Sequence, residues 1–447
     1  VQRPLATVVI GGLLIATFLT LFVLPILYIS FENKKVKKPA VKLNLILLII
    51  LISGFTKLNA QNKISLEAAT DSALKNNLSI KDELLKAEYH KKLIKSAINI
   101  PQTNAIAEVG QINSSYTDIR MGLAQNLNFP TIYARQSKLA KTELAVAQLN
   151  VQLKEKDVKK LVHQTFYNYL YLKEKEKLLL KSDSIYSEFY EKTISRLEKG
   201  ESNLLEKTTA ETQLGNIKNQ LNALKQELDL SLLYFQLILN TKNKYFPFAK
   251  NLKLSTPEIV DSSVFFQHPI LKIALQQKNV SIANYKLEKS HFLPDLNFGL
   301  FSMSMQGFGS DEVFYNRSAR FNSAQVGIGI PLFFGSFKAK VKAASIATQI
   351  ADNNIALQSQ ALKNQIESLN IQYRGNLNTV NYFENKGLNN SAIIIKTAND
   401  QFFNGEINYL DWGILINQAI LIQSNYLDAI KLLNESIISI NYFNTKF

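Results

Sequence analysis

The side chains with the strongest claim to site chemistry are four histidines, His90, His163, His268 and His291, and the thioether pair Met303 and Met305. A catalytic or metal-binding histidine needs a second ligand or an orienting partner at helical or strand spacing. None of the four sits in a His-x-x-x-His or His-x-Glu pattern. His90 and His163 fall in helical stretches, and His268 and His291 flank another, so all four read as structural histidines. Met303-Ser304-Met305 could offer two thioethers on one strand face to a soft metal. A lumen-facing or membrane-facing pair without metal is the reading we prefer. The chain has no cysteine, which excludes disulfide staples, thiolate zinc sites, a cysteine nucleophile and a lipid anchor on sulfur. Neither a phosphate loop nor a dinucleotide fingerprint occurs, so an energy source must come from a partner. The expectation is a protein that is not an enzyme and carries no cofactor and no metal.

The elements that hold these residues are long and charged. At 447 residues and 46% hydrophobic content, the chain is neither a disordered tail nor a bundle of apolar membrane helices. It has room for two or three ordinary domains or one elongated one. The formal charge is +15, but the lysines are scattered along helical stretches with glutamates among them. No nucleic-acid-binding motif accompanies them, so a solvated helix surface is expected and no nucleic-acid partner.

The first sixty residues concern membranes and export. Leu5 to Phe31 carries no charge and is long enough to cross a bilayer. Lys34, Lys35, Lys37, Lys38 and Lys42 come next and place that end in the cytoplasm. Leu43 to Thr56 fits the apolar core of a secretory signal, with Ala60 at a cleavage point; a second, short membrane anchor is the alternative. The first methionine is Met121 and the chain opens on Val1, so it reads as a fragment or the tail of a longer polypeptide. The opening Val1-Gln2-Arg3-Pro4-Leu5-Ala6, running on to Leu24-Pro25-Ile26-Leu27-Tyr28, resembles the last transmembrane helix of the CzcA/CusA heavy-metal pumps of the resistance-nodulation-division (RND) family. That resemblance implies a pump fused to, or encoded beside, the body of the chain; a generic membrane helix is the other reading.

The remainder is a duplicated unit, with boundaries expected at 1–33, 34–61, 62–255 and 256–447. Asn76-Asn77-Leu78 opens a charged helical stretch ending at Pro101, and His268-Pro269-Ile270-Leu271 opens one ending at Pro294. Each of these prolines precedes strand-like residues and then a second proline, Pro130 or Pro331. Gly-Glu-x-Asn-x-Leu recurs at Gly200–Leu205 and Gly405–Leu410. Proline costs ~3 kcal/mol in a helix interior, so the proline-free stretches 131–198 and 337–403 permit two helices of roughly 100 Å. Gly200 and Gly405 then mark tight turns into return helices near 203–241 and 407–441. In the first return helix Leu214, Ile217, Leu221, Leu224, Leu228, Phe235 and Ile238 fall on spacings of four and three, with Ser231 the one miss. That is a coiled-coil seam rather than an ordinary amphipathic face.

Between the paired prolines each half has room for a β-hairpin. Ile119, Met121, Leu123 and Leu127 alternate with Arg120, Gly122, Ala124, Asn126 and Asn128; Val326, Ile328 and Ile330 alternate with Gln325, Gly327 and Gly329. This suits a membrane barrel with a watery lumen, and also a half-buried soluble sheet. Four strands cannot close in lipid by themselves, so a membrane-inserted sheet requires several copies. Three would give twelve strands, an even number within the range of about 8 to 26.

With these landmarks in place, residues 62–447 resemble the TolC outer-membrane efflux proteins over essentially their whole length. The resemblance rests on the helix openings, the strand-to-helix prolines, the Gly-Glu-x-Asn-x-Leu tips and Arg196-Leu-Glu-Lys-Gly200. It implies a mainly α chain with a small β part, long antiparallel coiled-coil helices forming an α-barrel across the periplasm, and four strands per chain in a homotrimeric twelve-stranded barrel. It also implies a passive outer-membrane conduit docked on a periplasmic membrane-fusion adaptor and an inner-membrane RND pump. Asp411 and Glu206, each six residues after its tip glycine, would line the closed entrance. Gly200, Glu201, Gly405 and Glu406 would form the adaptor-docking tips, with Arg196 as a brace. Ile414 stands where a second acidic residue is expected, and Gln401 and Phe402 where a second arginine is expected. Asp411 and Glu206 also suit a helix start without any gating role. Together with the pump-like opening, the resemblance points to export of heavy-metal cations. A periplasmic coiled-coil scaffold, or the channel part of one pump–channel polypeptide, are the competing expectations.

Overall fold

A computed structural model describes residues 19–32, 62–257 and 264–444. The chain divides into two compact units, Val1–Ala60 and Gln61–Phe447. In the first, a π-helical turn at Leu19–Val23 runs into a helix at Leu24–Glu32. Most of the expected span Leu5–Phe31, and the whole signal-like segment, lie outside the described residues. Among the described residues no helix is long and apolar enough to cross a membrane.

The second unit repeats one pattern. Strand β1 (Asn62–Ile64) leads into α1 (Leu66–Asn76) and α2 (Leu78–Ser96). The hairpin of β2 (Asn104–Gly110) and β3 (Asp118–Leu127) comes next, then α3 (Pro130–Glu198) and α4 (Leu204–Leu239). Strand β4 (Tyr245–Pro247) closes this half. The second half runs through α5 (Pro269–Ser290), β5 (Asp295–Met303), the short β6 (Gly307–Phe308) and β7 (Phe314–Tyr315), and β8 (Phe321–Gly329). It ends with α6 (Gly335–Tyr382), α7 (Leu388–Phe403) and α8 (Tyr409–Phe443).

Capping explains the landmarks that open the helices. Asn77 accepts from the Ser79 amide at 2.9 Å and donates to the Ile238 carbonyl at 3.0 Å, so it starts α2 and ties it to α4. His268 caps α5 through Nδ1, which accepts from the Ile270 amide at 3.4 Å. Pro130 and Pro269 occupy first-turn positions, where a missing N–H costs nothing. The unbroken α3 has 69 residues, about 100 Å at 1.5 Å each. Its partner is not continuous: a π-helical turn, Phe383–Gly387, separates α6 from α7. Gly387 is buried there, and a Cβ would come within 2.8 Å of the Phe383 ring. Glu384, in the same turn, receives Lys253 at 2.8 Å and the Tyr426 hydroxyl at 3.3 Å.

The α4 seam packs as expected: Leu214, Ile217, Leu224, Leu228, Phe235 and Ile238 are buried and Leu221 partly so. Ser231, the apparent miss, is buried in the seam, where Asn168 of α3 donates to its hydroxyl at 3.4 Å. A strap that no sequence pattern signalled crosses the helices. Strands β1 and β4 pair in parallel, and residues 252–254 come after them. Asn434 of α8 clamps this strap, accepting from the Leu254 amide at 2.9 Å and donating to the Leu252 carbonyl at 2.8 Å.

The four longer strands form one antiparallel sheet in the order β2-β3-β5-β8, leaving β2 and β8 as its edges. Its register puts Ala105, Leu123, Leu300 and Ala324 in one row and Gln125, Phe298 and Val326 in the next on the same face. The opposite face carries Arg120, Asn126, Asn297, Gln325 and several glycines. Helices do not cover the apolar face: Leu300 is 64% exposed, Val326 73% and Ile328 63%.

The histidines sit apart from one another in packed helical surroundings. Burial, with Lys159 adding to it, pushes His163 down to about 4; burial and then Lys156 do the same to His268. Both fold as neutral rings, whereas an unfolded histidine protonates near pH ~6.5. Between about pH 6.5 and 4 the unfolded chain takes up protons that the fold refuses, so stability falls on acidification, by at most roughly 3.4 kcal/mol per group. The denaturant midpoint should drop between pH 7.5 and 5, and His163→Gln with His268→Asn should flatten that slope. An unchanged slope in the double variant would contradict this account.

Candidate functional site: the helix tips and the open sheet

The duplicated Gly-Glu-x-Asn-x-Leu motif is a helix stop joined to a helix start. Gly200 and Gly405 hold φ of 74° and 75°, the left-handed region that costs a side chain about 1–2 kcal/mol. The Gly200 amide bonds the Leu197 carbonyl at 3.0 Å and the Glu201 amide bonds that of Arg196 at 2.9 Å. The Gly405 and Glu406 amides repeat this on Phe402 and Gln401 at 3.1 and 2.8 Å. Both are Schellman closures. Asn203 and Asn408 then cap the return helices, accepting from the Glu206 and Asp411 amides at 2.9 and 3.0 Å. The two acids therefore share a third-residue helix position, where negative charge is favourable.

Their side chains differ. Glu206 is nearly buried and holds Arg196 at 3.2 Å, while the Ser202 hydroxyl donates to its other oxygen. Arg196 also donates to the Glu201 carbonyl at 3.2 Å, so this arginine knits both sides of its turn. In the second tip Gln401 takes the place of Arg196, and Asp411 is exposed and forms no ion pair among the described residues. Arg196, Glu206, Gly405, Glu406 and Asp411 all line one cleft of about 930 Å³, walled by the second turn and by the helices flanking the first. Of the expected tip residues, Gly200 and Glu201 do not line this cleft. Ile414, where a second acid was expected, is 65% exposed.

An aromatic block holds the tips. Phe189 of α3 stacks on Tyr409 at 4.3 Å and on Trp412 at 4.4 Å, with Tyr186 edge-on to Trp412 at 6.0 Å. Trp412 donates from Nε1 to Asn399 Oδ1 at 2.8 Å. Burial, with Glu206 nearby, pushes the Tyr409 hydroxyl up to about 12, so it stays neutral. Sequence reasoning missed this block; the chain's single tryptophan, beside Asp411, was the available signal.

The soft-metal alternative finds no support in geometry. Met303 ends β5 and its sulfur accepts from Asn113 at 3.4 Å, while Met305 lies beyond the strand. Only Met303 therefore lies within a strand. Among the described residues no group of three or more His, Asp or Glu is placed to hold a metal ion.

The fold joins a sheet with an uncovered apolar face to helices on the order of 100 Å long, and solved structures share it. The outer membrane efflux protein family matches residues 265–413, from the start of the second half to just past its tip. The second unit is similar to solved structures of CusC (TM-score 0.72, 17% identity, covering 85% of this chain and 91% of that one) and of the outer-membrane channel OprN (0.70, 15%, 85% and 89%). The CmeC outer membrane channel of Campylobacter jejuni is a further likeness (0.67, 16%, 85% of each). The chain therefore shares the fold of these solved channels, and residues 265–413 resemble the outer membrane efflux protein family. Residues 1–32 match the AcrB/AcrD/AcrF family. Protein HelA of Legionella pneumophila is 65% identical over 37 residues, 8% of this chain; the chain spans only 4% of the length of that relative.

Proposed function

We propose that residues 62–447 assemble as a homotrimer into the outer-membrane channel of a tripartite efflux pump and conduct passively. The observation that carries this is the sheet itself. Its apolar face is uncovered, its other face carries mostly polar or small residues, and β2 and β8 have unpaired edges. Open edges are untenable in hydrocarbon, and joining β8 of one copy to β2 of the next removes them all. The competing scaffold reading gives no reason for an uncovered apolar sheet. A membrane-fusion adaptor docks on the tips, where Leu204, Leu205, Phe403 and Leu410 are exposed around the two glycine turns. The energy comes from an inner-membrane RND pump, and the exported ions are heavy-metal cations, a reading that rests on the pump-like first residues.

At the entrance the two acids divide the work. Asp411 is the charge that entering ions meet, because it stands exposed. Glu206 and Arg196 are a brace for the first turn. Three copies would set three Asp411 carboxylates around one pore, where mutual repulsion and cation attraction are strongest. In planar bilayers the purified trimer should conduct, with divalent cations added at the tip side blocking it. Asp411→Asn should weaken that block by roughly tenfold, equivalent to about 1.4 kcal/mol. Block unchanged by the substitution would remove Asp411 from the gate; no conductance under any condition would remove the channel.

A further inference from the structure

The polar face of the sheet carries a built charge site. Glu108 of β2 lies opposite Arg120 of β3, and Gly122 of β3 lies opposite Phe301 of β5. The Phe301 ring is laid flat along the sheet rather than standing away from it, and only glycine permits this. A methyl group at Gly122 would collide with the ring, and one at Gly299 would come within 2.6 Å of it. Arg120 then lies on the other side of that ring, its guanidinium 4.4 Å from the centroid, and reaches Glu108 at 3.3 Å. The arginine is therefore fixed by stacking and by one ion pair, both supplied from neighbouring strands. It sits near the start of β3, at the loop end of the sheet, away from the helices.

Resting on the trimeric channel reading, we propose that Arg120, seated on Phe301 and tethered to Glu108, sets the charge selectivity of the outer part of the barrel lumen. The face opposite the lipid-exposed row must be the lumen, and three copies place three such arginines around it. Each guanidinium is held against the wall, so it does not obstruct the pore. The half-exposed Glu108 tempers its charge. Permeant anions are favoured at this level, in contrast to the acidic entrance at Asp411.

The experiment uses the trimer in planar bilayers at low salt, where exposed charges are least screened, with a potassium chloride gradient as the probe. Arg120→Gln should raise the cation-to-anion permeability ratio by about twofold or more, the scale of one unit charge ~10 Å from a permeant ion in water. Glu108→Gln should lower it, and Arg120→Lys should stay near wild type. The absence of cysteine allows a second readout: Arg120→Cys should react with a charged, membrane-impermeant thiol reagent. Met121→Cys, one residue along and on the apolar face, should react only with a lipid-soluble one. A conducting wild type whose reversal potential ignores both charge substitutions overturns this inference alone. An unreactive Arg120→Cys overturns the lumen assignment. A wild type that never conducts overturns the channel reading and this inference with it.

Discussion

Leu300→Lys should abolish heat-resistant trimers in the outer-membrane fraction, whereas Asn297→Lys, three residues earlier on the same strand, should leave them. Leu300 stands in the middle of β5, between Leu123 and Ala324, on the uncovered apolar face. A lysine at mid-bilayer depth costs about 2 to 4 kcal/mol on the lipid side of a barrel, and in the proposed trimer three copies would each bear that cost. Asn297 lies between Asn126 and Gly327 on the opposite face, where water is expected and the charge is nearly free. Immunoblotting of unboiled membrane fractions reads both variants. Equal trimer yields would mean that the two faces do not meet different solvents.

Trp412→Ala should free the tips while leaving the trimer intact. The indole is 4% exposed, stacks on Phe189 and is anchored to Asn399. Removing a buried aromatic of this size costs roughly 3 to 5 kcal/mol, and the loss falls where α3, α7 and α8 meet. Limited proteolysis should cut near residues 403–410 many times faster than in wild type, and single channels should spend more time open. Trp412→Phe should be intermediate, since it keeps the stacking and loses the hydrogen bond. Because the barrel strands are remote along the chain, trimer yield should not change. If Trp412→Ala is as protease-resistant as wild type, the aromatic block is not what holds the tips together.

The helices were legible because proline placement and apolar spacing act locally. The proline-free stretch after Pro130 became α3, and the four-and-three spacing from Leu214 to Ile238 became the buried seam. Strand alternation at Met121–Leu123 and Val326–Ile328 was equally local. What stayed hidden depends on contacts between distant residues. The three-residue β1 and β4 are too short for any periodicity, and they exist because they pair with each other. At the π-helical turn Phe383–Gly387, Gly387 leaves room for the Phe383 ring and Glu384 pairs with the distant Lys253. At the tips, the repeated motif gave the position of both acids, yet only the fold separates Glu206, neutralised by Arg196, from the exposed Asp411.

Disulfide trapping across the two sheet edges tests the assembly most directly. Within one chain β2 and β8 stand three strand intervals apart, about 14 Å, beyond the Cα separation of up to about 7 Å that a disulfide spans. A chain carrying Ala105→Cys or Ala107→Cys on β2 together with Ala324→Cys on β8 can therefore link only to another copy. The account predicts that oxidation of native membranes gives a covalent three-chain species with at least one of these pairs, reversed by reductant. Chains that remain single under oxidation with both pairs, although each thiol is accessible to labelling, would contradict it.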